Sequence, residues 1–189
     1  MPATGSDHRA SATPVHPVVL HTMTWSAEFS VDCVAPATGA ALRLLATVGA
    51  AHTAVEVGTG LGVSALWMLQ GLPPDAILTS IDTDVDHQNM ARQAFAAAGH
   101  QPSRTRLITG RAETMLTRLA DNAYDLALID CESIDRDVCV DVVRRLLRPG
   151  GLLVIHRPAD DDRARLADWS PVRLLPELLG ACRPKPLTR

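Results

Sequence analysis

The chain has 189 residues, of which 47% are apolar and 21% charged, a composition that suits one globular domain and a length too short for two. Its net charge of −3 and its 3% aromatic content argue against a nucleic-acid-binding protein, which concentrates positive charge or stacking surfaces. The chain contains no run of about 18 apolar residues, so no membrane span is predicted. The N-terminus lacks the pattern of a secretory signal. We therefore expect a cytoplasmic protein that binds neither nucleic acid nor membrane.

The first 30 residues are predicted to form a tail. Residues 1–17 mix proline, alanine, serine and histidine without helical or strand periodicity, which is typical of disorder. The segment from Val18 to Phe29 fits a short helix, a partial lid that carries Trp25, or a loosely packed extension. We assign residues 31–189 to a single domain.

From residue 37 onward, strands and helices alternate along the chain. Short apolar runs predict strands over 53–57, 76–81, 106–109, 126–129 and 152–155. Helical patterns lie between them, over 37–48, 63–70, 85–98, 112–119 and 135–147. Weaker patterns near Leu174 and Cys182 predict edge strands. This alternation predicts an α/β fold of the doubly wound, Rossmann-like type, with helices on both faces of a mostly parallel sheet.

Several other patterns predict only structural roles. Trp67 lies in a helix that is apolar almost all round, so we expect it in the core. The arginines at 144, 145 and 148 are expected on the solvated face of a helix. The acidic run at 160–162 is expected in solvent.

The carboxyl ends of the first two predicted strands indicate a nucleoside site, because doubly wound sheets bind ligands at that edge. The first strand runs into a glycine-rich segment, residues 58–62, where the backbone can approach a ligand closely. The second ends at Asp82, 22 residues after Gly60, where a carboxylate can accept the hydroxyl hydrogens of a ribose.

The details of the glycine segment favour S-adenosylmethionine over a dinucleotide. The segment follows the pattern G-x-G-x-G, whereas dinucleotide sites favour G-x-G-x-x-G/A. Glu56 stands just before it, where a carboxylate would oppose two phosphates but would suit a cation or a ligand amine. S-adenosylmethionine has ribose hydroxyls, an amino group, a sulfonium charge and no phosphate.

Residues 55–66, VEVGTGLGVSAL, resemble motif I of class I S-adenosylmethionine-dependent methyltransferases, in the form of the bacterial, especially actinobacterial, catechol O-methyltransferase-like enzymes. The similarity continues at 78–82, 91–95, 110–112, 124–130 and 146–151, and covers about two thirds of the chain. The resemblance implies a seven-stranded methyltransferase fold with a shortened C-terminal hairpin, S-adenosyl-L-methionine as cofactor and a small-molecule acceptor. It is also compatible with a homodimer.

The same resemblance implies a set of cofactor-binding residues, which are Val34, Glu56, Gly58, Gly60, Ser64, Asp82, Ala112, Glu113 and Asp130. The first five would surround the methionine moiety, with Val34 near its carboxylate. Asp82 would hold the ribose, residues 112–113 would face the adenine, and Asp130 would stand between cofactor and substrate.

The chain departs from the family at the metal site. Metal-dependent members carry a lysine three residues after the Asp130 position and an Asp-Asn pair after the fifth strand. This chain has Ser133 and the pair His156-Arg157 there, which lacks the oxygen ligands that Mg²⁺ prefers. We therefore expect no bound metal, although the carboxylates of Glu132 and Asp135 could compensate.

Without a metal, a base must deprotonate the acceptor hydroxyl. His156 is the candidate because imidazole titrates near neutrality, and Asp130 could orient it. Arg157 could bind an acidic substrate or stabilise a phenolate. An equally weighted alternative is that His156 is a structural residue held by hydrogen bonds.

The leading hypothesis for the function of the protein is a metal-independent O-methyltransferase. One alternative is a catalytically inactive S-adenosylmethionine-binding sensor or partner subunit. A less favoured alternative is an NAD-binding oxidoreductase.

Overall fold

The computed structural model describes residues 15–131 and 136–186. The strands among them are β1 (Thr53–Val57), β2 (Ile77–Asp82), β3 (Thr105–Thr109), β4 (Tyr124–Ile129), β5 (Leu147–His156), β6 (Val172–Leu175) and β7 (Leu178–Cys182). The α-helices are α1 (Pro17–Glu28), α2 (Pro36–Val48), α3 (Val63–Gly71), α4 (Val85–Ala97), α5 (Ala112–Leu116), α6 (Arg136–Leu146) and α7 (Asp162–Arg165). None of these helices is long and apolar enough to cross a membrane.

All seven strands form one sheet in the order β3-β2-β1-β4-β5-β7-β6. Strands β1 to β5 are parallel, whereas β7 is antiparallel to both β5 and β6. This confirms the predicted doubly wound fold, and the two weak C-terminal patterns form its edge hairpin. The register sets Val57 beside both Ile81 and Ile129, so the carboxyl ends of β1, β2 and β4 meet at one edge of the sheet.

Each face of the sheet has its own apolar core beneath helices. Helices α1 to α4 cover one face, where Trp67 is 1% exposed, as expected for a core residue. Gly39 lets α2 pack closely there, because a Cβ at this position would lie 2.1 Å from Nε1 of Trp67. On the other face, Leu116 of α5 and Val143 of α6 are fully buried together with Trp169.

The second half of the predicted tail is an ordered helix. Residues 17–28 form α1, in which the side chains of Val19 and Ser26 are fully buried. Trp25, considered for a lid, lies beside α4 in a small apolar groove and contacts the ring of His21 at a centroid distance of 4.3 Å. Residues 1–14 lie outside the described residues, so a disordered tail there stays a prediction.

Two predicted boundaries and two surface assignments need correction. Strand β5 begins at Leu147 rather than at 152, with a shift in its register against β4 between Leu147 and Leu152, and α5 ends at 116 rather than 119. The arginines of α6 are not simply solvated: the guanidinium of Arg144 lies 5.0 Å from the ring centroid of Trp169. Asp162, expected in solvent, is fully buried.

Candidate functional site

A cavity of about 620 Å³ opens at the carboxyl ends of β1, β2 and β4, where the strand order reverses. Its walls are the loop 57–61 after β1, the end of β2, the segment 110–113 after β3, residues 130–131 after β4, and the linker 31–33 between α1 and α2. Both the volume and the position are those of a small-molecule site in a doubly wound sheet.

Gly58 allows β1 and β4 to approach each other at the floor of this cavity. Its φ of +93° lies in the left-handed region, and a Cβ at this position would lie 1.9 Å from the backbone oxygen of Asp130. Gly60, with φ +47°, continues the wall beneath the linker, since a Cβ there would lie 3.3 Å from a methyl carbon of Val31. The predicted glycine-rich segment, residues 58–62, therefore forms one wall of the cavity, which we call the glycine wall, and only glycine fits at 58.

Asp82 is fixed by the loop it faces. Its Oδ2 accepts a hydrogen bond from the backbone N–H of Gly60 at 2.8 Å, and its Oδ1 accepts one from that of Asp84 at 3.0 Å. A carboxylate has about four acceptor positions. Each oxygen of Asp82 thus keeps capacity for a further donor, such as a hydroxyl of a ligand.

Glu56 lies one layer behind the cavity wall and is 0% exposed. Its Oε1 accepts from the hydroxyl of Ser64 at 2.5 Å, and its Oε2 from that of Ser80 at 2.6 Å. Burial raises the pKa of Glu56 to about 8, and the charges of Asp130 and Asp82 act in the same direction. Because Ser64 lines the cavity whereas Glu56 is enclosed, Glu56 can influence a ligand through Ser64.

The segment after β3 forms the far wall of the cavity. The backbone N–H of Gly110 donates to the backbone oxygen of Asp82 at 2.8 Å, which holds this segment against the end of β2. Ala112 and Glu113 line the cavity, as the resemblance implies for the adenine pocket. Arg111 donates to the carboxylate of Glu113, and this bond holds the pKa of Glu113 below its ordinary value.

The predicted pair of Asp130 and His156 is present at the ends of β4 and β5. Ile129 and Ile155 are partners in the sheet, so the residues that follow them emerge side by side. Nδ1 of His156 lies 2.6 Å from Oδ1 of Asp130. The side chain of Asp130 is 10% exposed and lines the cavity, whereas that of His156 is 7% exposed and lies behind it. Of the two, the carboxylate is therefore the group nearer a ligand.

Arg157 connects this pair to the linker between α1 and α2. Its Nη1 donates to Oδ2 of Asp32 at 2.8 Å, and its Nη2 lies 3.9 Å from Oδ1 of Asp130. Its backbone is in the left-handed region, with φ +48°, and its N–H donates to the backbone oxygen of Glu177 at 2.7 Å. The guanidinium thus stands in the cavity wall between two carboxylates.

Nothing in the described part of the chain forms a group of three or more His, Cys, Asp or Glu side chains that could hold a metal. The described residues do not include three positions on which the expectation about the metal depends, Glu132, Ser133 and Asp135. The expected independence from a divalent metal therefore stays a prediction.

Sequence reasoning missed the linker 31–33, and the position it gave Val34 near the methionine carboxylate stays a prediction. Val34 is fully buried in the core below α2, while the linker residues before it line the cavity. The linker carries no motif or periodicity, and its role is revealed only by its contacts with Gly60 and Arg157. Cys131 also lines the cavity and could have been found from its place directly after β4.

Comparison with known proteins agrees with this geometry. Residues 55–157 match a family model described as a methyltransferase domain. A protein of Mycobacterium ulcerans named "Putative O-methyltransferase" is 51% identical over 138 residues, which are 72% of this chain and 61% of that protein. The chain thus spans about three fifths of the length of this curated relative.

Solved structures share the whole fold. A protein of Corynebacterium glutamicum, 26% identical, superposes with a TM-score of 0.80 over 95% of both chains. The O-methyltransferase TomG of Streptomyces achromogenes, involved in tomaymycin synthesis and crystallised with S-adenosylmethionine, superposes with a TM-score of 0.79 over 92% of both chains at 20% identity. The glycine wall after β1, the motifs along the strand ends and the family match lead to one conclusion: the chain belongs to the methyltransferase-domain family that its sequence resembles.

Proposed function

We propose that this protein transfers the methyl group of S-adenosyl-L-methionine to a hydroxyl group of a small molecule, without a divalent metal. The observation that carries the proposal is one cavity lined by the glycine wall and the carboxylates of Asp82 and Asp130, with His156 in contact with Asp130 from behind. The relatives named as O-methyltransferases, and the neighbour crystallised with S-adenosylmethionine, support the same reaction and cofactor.

The residues around the cavity suit this cofactor. Asp82 retains acceptor capacity for ribose hydroxyls, and Ser64 presents a hydroxyl on the side assigned to the methionine moiety. Four acidic residues (Asp32, Asp82, Glu113 and Asp130) and two arginines (Arg111 and Arg157) line the cavity, so negative charge predominates in its wall. Such a wall favours a sulfonium cation and opposes the two phosphates of NAD, so the oxidoreductase alternative gains no support.

When bound, the cofactor supplies a methyl group that is already activated by the sulfonium charge. The chain then has to align the acceptor and take up its proton. Asp130 lines the cavity, so its carboxylate accepts the hydrogen bond of the acceptor hydroxyl. The proton of that hydroxyl goes to the Asp130–His156 pair, in which Oδ1 of Asp130 and Nδ1 of His156 lie 2.6 Å apart.

The alternative of an inactive S-adenosylmethionine-binding sensor or partner subunit is less favoured. The Asp130 carboxylate lines the cavity, and the His156 imidazole contacts it from behind. The homodimer with which the resemblance is compatible and the cytoplasmic location expected from the sequence stay predictions.

Calorimetry and product analysis test the proposal together. We expect S-adenosylmethionine and S-adenosylhomocysteine to bind and NAD not to bind; absence of binding by both adenosyl ligands would refute the proposal. Asp82→Ala should raise the Kd for S-adenosylhomocysteine about tenfold or more, because hydrogen bonds to a charged group are lost. Asp75→Ala, whose side chain is 76% exposed and outside the cavity wall, is the matched control.

The reaction itself is followed as release of S-adenosylhomocysteine with a panel of phenols and hydroxy acids, with and without EDTA. We expect turnover that EDTA does not change. Turnover abolished by EDTA and restored by magnesium would contradict metal independence. Binding of the cofactor without turnover of any acceptor would favour the inactive alternative.

A further inference from the structure

Arg157 is held at the cavity by a backbone conformation that an arginine rarely adopts. Its φ of +48° is unfavourable for a residue with a side chain, and such a conformation persists only where the surroundings hold it. The hydrogen bond from its N–H to the oxygen of Glu177 supplies part of that constraint. Residues with a strained backbone cluster at ligand sites, so a ligand-binding role of the guanidinium is consistent with this conformation.

The two carboxylates next to Arg157 differ sharply in exposure. Asp130 lies on the inner side, with 10% of its side chain exposed and its Oδ1 3.9 Å from Nη2. Asp32 lies on the outer side, 2.8 Å from Nη1, with 75% of its side chain exposed. Exposed ion pairs are weak because water screens them and the side chains lose entropy. Asp32 is therefore the partner that a competing anion can replace.

The exchangeable carboxylate lies in the same cavity as the proton-accepting Asp130. Arg157, Asp32 and Asp130 all line the same cavity. A guanidinium binds a carboxylate through two parallel N–H groups, so a ligand carboxylate can take the place of Asp32. Since Arg157 also stands beside Asp130, a compact molecule bound through its carboxylate can place a hydroxyl at the proton-accepting pair.

We propose that the acceptor is a small hydroxy acid, and that Arg157 binds its carboxylate in exchange for Asp32. This inference rests on the proposed methyltransferase function and names the substrate class of the same site. Asp32 then acts as an internal competitor, which keeps the guanidinium in place when no acceptor is present.

Opposite effects of two substitutions test the exchange. The probe is 3,4-dihydroxybenzoate, with its neutral amide as the matched compound, titrated into protein saturated with S-adenosylhomocysteine. Arg157→Gln should weaken binding of the acid roughly tenfold and leave the amide unchanged, because a charge-assisted bond is lost. Asp32→Asn should tighten binding of the acid about two- to fivefold, because it removes a weak exposed competitor.

Surface substitutions of the same type are the controls. Arg163→Gln and Asp75→Asn change exposed residues outside the cavity wall and should leave both titrations unchanged. Since Asp32 is exposed, its variant keeps the test informative even where the Arg157 variant unfolds.

The outcomes separate this inference from the proposed function. Failure of wild-type protein to bind S-adenosylhomocysteine removes the proposed function and the inference with it. Normal cofactor binding with equal or absent affinity for acid and amide overturns the inference alone. Weaker cofactor binding by the Arg157 variant, with unchanged binding of the acid, assigns the guanidinium to the cofactor's carboxylate and also overturns the inference.

Discussion

The buried carboxyl group of Glu56 should make the stability of this protein fall as the pH rises. Its pKa is about 8 in the folded chain, against an ordinary value of 4.5, because burial disfavours the charged form. Between these two values the folded state holds a proton that the unfolded state has lost. Each pH unit in this range then costs about 1.4 kcal/mol, and the loss between pH 5 and pH 7 is about 3 kcal/mol.

Replacing Glu56 by Gln should abolish this dependence. The amide does not titrate, and it can still form hydrogen bonds with Ser64 and Ser80. Urea unfolding at pH 5, 6, 7 and 8 should show the free energy of unfolding of wild type falling by about 3 kcal/mol relative to Glu56→Gln between pH 5 and 7. The difference should level off above pH 8, where both states are ionised. Glu28→Gln, at the exposed end of α1, should follow wild type. If the free energies of unfolding of wild type and Glu56→Gln changed in parallel with pH, the pKa of Glu56 would not be raised in the folded protein, and this prediction would be wrong.

Two further substitutions test the cavity. Gly58→Ala should weaken binding of S-adenosylhomocysteine about tenfold or more, because the new Cβ would clash with the backbone of Asp130. Gly99→Ala is the control, because Gly99 also has a positive φ but has open space around a Cβ, and this variant should bind normally. Similar effects in calorimetry would mean that the close approach at 58 does not matter. His156→Gln should lower kcat about a hundredfold or more while the Kd for S-adenosylhomocysteine stays unchanged. Full turnover by that variant would make His156 a structural residue.

Much of the fold was predictable because it follows from local patterns. Strand β1 and helix α3 have short apolar runs next to glycines, and both lie within a residue of the predicted bounds. The parallel topology then places every strand end at one edge, so Gly58, Asp82 and Asp130 could be assigned to a common site before any distance was known.

The parts that sequence reasoning missed depend on contacts between distant segments. Asp32 belongs to the cavity because the linker lies over Gly60 and because Arg157 reaches it across 125 residues of chain. For α1 the sequence left a short helix, a lid and a loose extension open, and the helix is selected because Val19 enters the core. The protonation of Glu56 likewise depends on complete burial, which the motif alone does not reveal.

The distribution of charge in the cavity follows from the same topology. Parallel strands that end in acidic residues bring Glu56, Asp82 and Asp130 towards one edge, and three neighbouring carboxylates repel one another. Burial keeps Glu56 protonated, which relieves part of this repulsion without a bound cation. The remaining negative charge favours a sulfonium over a pyrophosphate. Arg157 adds a positive group beside Asp130, at the side assigned to the acceptor. With the hydroxy acid proposed above as acceptor, a cationic donor and an anionic acceptor would meet opposite charges at adjacent positions of the cavity.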